Sequence, residues 1–288
     1  MNGILVVNKE KDYTSRDVVN ILTKELNTKK IGHTGTLDPL ATGVLVVCIG
    51  KYTKLVSEIT SYDKEYIAQI KLGIKTDTGD ITGNVLEEKE FNVTEDDIAK
   101  VLNSFLGKSI QTVPKYSAVK INGKKLYEYA RNNEDIELPK REVEVKKIEL
   151  IKYNDDIIQF KTTVSKGTYI RSLIEDICEK LNTVGTMNNL QRTKQGYFNI
   201  EDSYYLEDIK NNNYKLVDIE KILDYKTYNL SKEEYEKVIN GCKMNFNMND
   251  EKVILKYLRD IIAIYIKDNE FYKPLVMLKT SLKWCFFY

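Results

Sequence analysis

Apolar residues along this chain follow two rhythms. GILVVNK at 3–9 and GVLVVCIG at 43–50 are continuous, β-branched runs, the pattern of strands buried on both faces. KEYIAQIKLG at 64–73 alternates instead, as a half-buried strand should. Between the first two, DVVNILTKEL has the spacing of an amphipathic helix, with Ser15 placed as its hydroxyl cap. VTEDDIAKVLNSFLG (93–107) predicts a helix opened by Thr94, with Asp97 completing a capping box and Gly107 as its stop. REVEVKKIELIKYNDDIIQFKTTVS (141–165) predicts two strands joined at the Asn154-Asp155-Asp156 turn. TYIRSLIEDICEKLN (168–182) reads as a helix, and a further strand is expected around Gly196 to Ile200. Strands and helices mix without a strict βαβ rhythm, so the expected class is α+β with a mixed sheet rather than a doubly wound one.

Composition changes near residue 211, where NNNYK and the polar residues after it read as a link to a last segment, roughly 225–288. That segment predicts a short helix, NGCKMNF and two or three strands ending in an aromatic tail, hence a second, small β-rich domain. No internal repeat is visible. A length of 288 residues with 42% hydrophobic content suffices for one large core and a small companion. The opening MNGILVVNKEKD lacks a basic region followed by a long apolar one, and nothing approaches the roughly 20 apolar residues of a membrane helix. This argues for a cytoplasmic protein. Cys48, Cys178, Cys242 and Cys285 are far apart and form neither CxxC nor a Cys/His cluster, so no metal site is expected. With 44 basic and 43 acidic residues the net charge is +1, so any case for nucleic acid rests on local clusters. Richness in Lys, Asn and Ile with few Pro reads as a base-composition bias of the source genome.

Three stretches carry candidate chemistry. GHTGTLDPLATGVL (32–45) holds the one histidine, His33, and, five residues on, Asp38 before a proline. Its glycines predict a surface loop on a rigid strand, the usual setting for a functional side chain. The same residues also serve simply as a turn aspartate and a loop histidine bonded to a neighbouring carbonyl. SKGTYIRSLIED (165–176) puts Tyr169 and Arg171 at a helix start beside Gly167. An arginine next to a carboxylate favours its ionised form and fixes its orientation through a two-point bond, which an enzyme using an aspartate needs. An ordinary arginine paired to some other acid is the alternative. QTVPKYSAVKINGKKLYEYAR (111–131) interleaves Lys115, Lys120, Lys124, Lys125 and Arg131 with Tyr116, Tyr127 and Tyr129, and Glu128 is its one acid. Cations for phosphates and rings for unstacked bases suit looped RNA, although a solvated face of a Lys- and Tyr-rich chain has a similar look.

These stretches, with KEYIAQIKLGIKTDTGD, resemble the motifs of the TruB family of tRNA pseudouridine synthases, in the family's order, over roughly residues 3–200. The resemblance implies isomerisation of uridine 55 in the T-loop of tRNA to pseudouridine, without cofactor or metal. It implies a mixed-sheet catalytic domain over residues 1–220 with a thumb-like RNA-binding insertion at about 111–142, and a PUA-like domain at 225–288. The implied partner is the T-arm of tRNA, and a monomer is the default. By motif, Asp38 matches the catalytic aspartate and Arg171 its ion-pair partner. Tyr66 matches the tyrosine that stacks on the target base and is implicated in the proton step. Tyr169 matches the tyrosine that lines the pocket and Leu190, in NNLQRT, an apolar wall. His33 matches the histidine that helps hold the rearranged RNA loop, Lys9 the lysine of the N-terminal motif and thereby a substrate contact, and Lys124 and Lys125 fall in the stretch that corresponds to the RNA clasp.

Some positions depart from the family pattern. The first motif usually reads DKP, then a Gly-containing turn and TS, whereas here it is Asn8-Lys9-Glu10-Lys11-Asp12-Tyr13-Thr14-Ser15. Gln191 stands where an arginine is common, and the final segment matches loosely, mainly through NGCKM. Two other function classes stay open at this level: a tRNA-binding folding factor with catalysis secondary, and an RNA-independent hydrolase using Asp38. The hydrolase lacks any general-acid pair, metal cluster or Ser/His arrangement.

Overall fold

The computed structural model describes residues 1–132 and 134–279; Cys285 and most of the aromatic tail lie outside them. The chain opens with strand β1 (Gly3–Lys9), helix α1 (Ser15–Glu25), a short β2 (Ile31–His33) and β3 (Thr42–Ile49). Next come α2 (Val56–Thr60), β4 (Lys64–Leu72), a hairpin of β5 (Ile74–Thr76) and β6 (Val85–Glu88), α3 (Glu95–Asn103) and β7 (Gly107–Thr112). Residues 113–139 then leave the main sheet, carrying β8 (Lys120–Ile121), β9 (Lys124–Lys125) and α4 (Leu126–Arg131). Strands β10 (Lys140–Asn154) and β11 (Ile157–Val164), helix α5 (Ile170–Lys180), β12 (Gly185–Gln195), β13 (Phe198–Asn199) and α6 (Leu206–Lys210) follow. β14 (Lys226–Asn229), α7 (Lys232–Val238), β15 (Lys252–Tyr257), β16 (Asp260–Asp268) and β17 (Phe271–Met277) complete the described chain.

Nine strands form one mixed sheet in the order β1-β3-β12-β4-β11-β10-β7, with β2 also on β3 and β13 on β12. The α+β expectation therefore holds. β1 runs along the whole of one edge of β3, from Gly3↔Ile49 to Lys9↔Gly43. The other edge is shared: β2 pairs at Val47–Ile49, and β12 pairs parallel at Thr42 and Gly43. The loop 34–41 emerges from between these two neighbours, which places it near the middle of the sheet.

The two uninterrupted apolar runs are explained by burial on both faces. Leu5, Val7, Leu45, Val47 and Ile49 join one core with α1, α3, α5 and α6, while Ile4, Val6, Val44, Val46 and Cys48 join a second. That second core also takes Ile219, Ile222 and Leu223 and, from the last sheet, Ile254, Ile264, Val276 and Leu278. The residues after 211 are thus packed rather than a free link, and the Val217 amide donates to the Ile4 carbonyl at 2.8 Å. Strands β14 to β17 make a four-stranded sheet with a further core of their own around Phe246, Tyr265 and Tyr272.

Three local expectations need correction. The cap of α1 is Thr14, in a reciprocal box with Asp17, because the Ser15 hydroxyl is spent on the loop ahead of β3. Gly107 opens β7 at φ 98° instead of closing α3, whose last turn ends at Asn103 and whose Thr94–Asp97 box is as predicted. The strand expected around 196–200 is mainly upstream: β12 is a central strand made largely of polar residues, with irregular register at Met187/Asn189 and Arg192/Lys194. Its alternation is broken where it matters for pattern reading.

The two sheets are latched by Glu58 on α2, which accepts from the Tyr225 hydroxyl at 2.6 Å and from Lys252 Nζ at 2.9 and 3.0 Å. Burial would raise this carboxyl, but the two donors outweigh it and hold Glu58 below its ordinary value, while Tyr225 is pushed up by burial and by Glu58. Glu58→Ala should reduce unfolding free energy by about 2 kcal/mol in urea titration at neutral pH. The advantage of wild type should be complete above pH 4.5, the carboxyl's ordinary value, and shrink as pH falls through the lowered one.

Candidate active site

The loop 34–41 is held by side chains from β1, α1 and β12. Lys9 is fully buried, and its ammonium donates to the carbonyls of Tyr13 at 2.6 Å, Glu10 at 2.9 Å and Pro39 at 3.2 Å. The Ser15 hydroxyl accepts from the Leu37 amide at 2.9 Å. From β12, Arg192 donates to the carbonyls of Val44 at 2.6 Å and Gly35 at 3.1 Å, and Gln195 donates to the Thr34 hydroxyl at 2.9 Å. Gly43 has φ 97°, and a Cβ there would collide with the Arg192 main chain, so glycine is required for β12 to close on this loop. These bonds fix the main chain on both sides of Asp38, leaving its side chain 31% exposed.

Arg171, on the first turn of α5 and only 7% exposed, meets Asp38 as a planar fork. Nε donates to Oδ2 at 2.9 Å and Nη2 to Oδ1 at 3.1 Å. The remaining donors take two main-chain carbonyls, Nη1 to Thr78 at 3.0 Å and Nη2 to Tyr116 at 2.9 Å. The Thr78 carbonyl is presented by a tight turn: buried Asp80 accepts from the Thr78 hydroxyl at 3.1 Å and the Thr82 amide at 3.0 Å. Asp80 was given no role by sequence reasoning; its signal was the TDTGD turn in one of the resembling stretches, whose use depends on an arginine far along the chain.

In the β4–β12 pairing Tyr66 is opposite Arg192 and Leu190 is opposite Ala68, so Tyr66 and Leu190 are diagonal neighbours, in the same core cluster as Leu37 and Leu40 of the loop. Tyr66 is 6% exposed, and its hydroxyl takes no hydrogen bond within the described residues. Tyr169 is the residue before α5, half-buried, with the Arg141 guanidinium 5.4 Å from its ring centre. The structure thus brings Asp38 and Arg171 into contact and sets Tyr66, Leu190 and Tyr169 on the elements that carry them.

Other candidates sit differently. Lys9 is not placed as a substrate contact, since all three of its donors are committed to carbonyls beneath the loop; its work is to hold Pro39. His33 ends a strand rather than lying in a loop. Its Nδ1 is buried without a partner, and burial, then the Arg192 and Arg16 guanidinium groups, lower its pKa. Lys124 and Lys125 are in the excursion away from the sheet. Lys124 pairs with Glu134 at 2.5 Å and covers the Tyr129 ring, while Lys125 reaches the Tyr127 hydroxyl at 3.1 Å. The acid opposite Lys124 comes from beyond the 111–131 stretch. An exposed pair of this kind is weak.

A cleft of about 730 Å³ lies behind Arg171, bounded by Thr78, Tyr116, Ser172, Glu175 and Asp176, but Asp38, Tyr66 and Tyr169 do not line it. Burial, then Glu175 and Glu179, pushes Asp176 up to about 6. Among the described residues no group of three or more His, Cys, Asp or Glu side chains is placed to hold a metal, and no helix is long and apolar enough to cross a membrane. Cys48 and Cys178 are buried thiols pushed up to about 12 by desolvation, so they pack rather than react.

A family model for the TruB family pseudouridylate synthase N-terminal domain matches residues 23–170, and one for the tRNA pseudouridylate synthase B C-terminal domain matches 171–240. The tRNA pseudouridine synthase B of Clostridium tetani is 42% identical over 274 residues, covering 93% of each chain. That of Fusobacterium nucleatum is 44% identical over 277 residues, 93% of this chain and 96% of its own. The chain belongs to the TruB family. Among solved structures, a Cbf5-Nop10-Gar1 complex contains a chain that superposes with TM-score 0.69 at 24% identity, over 97% of this chain and 84% of that one. At this identity the likeness establishes a shared pseudouridine synthase fold.

The Lys9 clamp makes a stability prediction. Burial, opposed by Asp38, brings the ammonium from 10.5 to about 8. In the folded protein the proton therefore leaves first, so the burden of a buried charge is full below pH 8 and relieved between 8 and 10.5. Lys9→Met should melt lower at pH 7, and the gap from wild type should widen as pH rises across that interval, measured by thermal denaturation.

Proposed function

We propose that this TruB-family protein isomerises uridine 55 in the T-loop of tRNA to pseudouridine, with Asp38 as the catalytic residue. The observation that carries this reading is the two-point bond of Arg171 to Asp38 at 2.9 and 3.1 Å, with the carboxylate still partly open. A uridine stacked in an RNA hairpin cannot reach such a group, so the base must swing out, at a cost of a few kcal/mol offset by stacking and phosphate contacts. Tyr66 supplies the ring against which the extruded base lies, Leu190 the apolar wall beside it and Tyr169 the edge of the pocket. His33 holds the rearranged loop, and Lys124 and Lys125 meet the phosphates as parts of the clasp.

The chemistry is an isomerisation. The N-glycosidic bond breaks, the uracil turns while held, C5 bonds to C1′, and the C5 proton leaves as N1 gains one. Asp38 attacks the sugar, attacks the pyrimidine or removes a ribose proton; each route requires an anion fixed in orientation, which the guanidinium fork supplies. We assign the proton step at C5 to Tyr66, a reading supported by a hydroxyl that takes no hydrogen bond within the described residues. Exclusion of water keeps the detached uracil from escaping. We assign catalysis to a unit spanning residues 1–220 with a thumb at about 111–142, and RNA contact to a PUA-like unit at 225–288. The protein acts as a monomer on the T-arm of tRNA, in the cytoplasm.

Asp38→Asn should leave no detectable pseudouridine at position 55 in tRNA incubated with purified protein, while the Kd for that tRNA stays within about 3-fold. Turnover by this variant would refute the assignment. Arg171→Lys, which keeps the charge and loses the fork, should slow single-turnover formation by about 100-fold or more; a rate near wild type would mean that Asp38 is oriented by another group.

A further inference from the structure

Helix α5 begins without a side-chain cap of the usual kind: Tyr169 precedes it in extended geometry, and its own side chain makes no capping bond. The place of a cap is taken from outside by Gln111, the next-to-last residue of β7. Its side chain is 4% exposed and bonds the Tyr169 main chain in both directions. Nε2 donates to the Tyr169 carbonyl at 3.0 Å, and Oε1 accepts from the Tyr169 amide at 2.8 Å. A carboxamide used in this way reproduces the exchange between neighbouring strands, and it fixes both main-chain bonds of a single residue.

Directly across from Gln111 in the β7–β10 pairing is Arg141. Opposed residues on paired strands share a face, and Arg141 indeed reaches the same tyrosine, with its guanidinium 5.4 Å from the Tyr169 ring centre. Gly167, at φ 84°, lets the chain pass close by, since a Cβ there would stand 3.1 Å from Arg141 Nη1. One turn into the helix, the Ser172 hydroxyl donates to the Thr112 carbonyl at 2.9 Å, so the same strand end holds the segment on both sides of Arg171.

We propose that Gln111 and Arg141 are positioning residues for the reaction: the amide fixes the main chain of Tyr169, the guanidinium fixes its ring, and together they set the edge of the nucleoside pocket. This rests on the proposed function in taking Tyr169 as that edge. Neither side chain touches the reacting atoms, so both act through Tyr169.

The test uses full-length protein and unmodified tRNA. Gln111→Met keeps the side-chain length and removes both bonds. It should slow single-turnover pseudouridine formation by about 10- to 100-fold while the Kd for tRNA stays within about 3-fold. In a Tyr169→Ala background the same change should cost less than about 2-fold further, because the route to the chemistry is already gone. Arg141→Leu, which leaves no buried group unpaired, should slow the reaction by about 5-fold or more with an equally small change in Kd, and it serves if Gln111→Met fails to fold. Amide exchange in the absence of RNA gives a second readout, with protection lost at Tyr169 in Gln111→Met. Full-rate variants, an undiminished loss on top of Tyr169→Ala, or unchanged exchange at Tyr169 would each overturn the inference. A wild-type protein that makes no pseudouridine would instead overturn the assigned reaction, and the exchange measurement would still decide the clamp.

Discussion

A guanidinium that is 93% removed from solvent must find acceptors for its donors or the fold pays heavily for its charge, and Arg171 finds four: both oxygens of Asp38 and the carbonyls of Thr78 and Tyr116. These acceptors come from three segments that are 133, 93 and 55 residues away in sequence. Helix α5, the 34–41 loop, the turn ending in Asp80 and the start of the 113–139 excursion are therefore brought together by one side chain. The pair is not an isolated ion pair laid on a finished scaffold. Removing either partner strands the other charge, and removing Arg171 also releases the carbonyls of Thr78 and Tyr116.

The scaffold itself was legible where burial leaves a periodic trace. β1 and β3 show as unbroken apolar runs because they are covered on both faces, and β4 shows as alternation because alternate residues face the core. β12 left no such trace. It is central, yet Arg192 and Gln195 are buried polar side chains that donate to main-chain carbonyls, buried Thr186 bonds the Thr76 hydroxyl, and two register irregularities break its period. A central strand that serves as a row of hydrogen-bond donors looks, in sequence, like a loop.

The site was legible in a similar, partial way. Asp38, Tyr66 and Arg171 stood out because their stretches resemble a family's motifs, and the contact between Asp38 and Arg171 is now visible. Lys9, Ser15, Asp80 and Gln111 did not stand out in their actual roles, and the cause is common to all four. Each bonds main chain or a turn far from it in sequence or around a tight bend, and a carbonyl or amide belongs to every residue alike. Side-chain type therefore says nothing about which one is chosen. Ser15 illustrates the point: next to a helix start it reads as a cap, but Thr14 caps and Ser15 holds Leu37.

The bonds under the loop also have an electrostatic consequence. Lys9, Lys64 and Arg192 are buried cations that satisfy themselves mostly on carbonyls, with Lys64 bonded to Thr60 and Tyr62 at 2.9 and 2.7 Å. Burial and the Arg192 charge bring Lys64 to about 8, and Arg192 likewise opposes the charge on Lys9 and His33. Carbonyl dipoles solvate an ammonium but do not neutralise it, so the loop rests on a floor of like charge whose field is weakly screened. The Asp38 charge acts against burial and favours the protonated form of Lys9. Orientation comes from the fork of Arg171 and long-range attraction from the buried cations, and Asp38 is fixed in place between them while 31% of its side chain stays exposed.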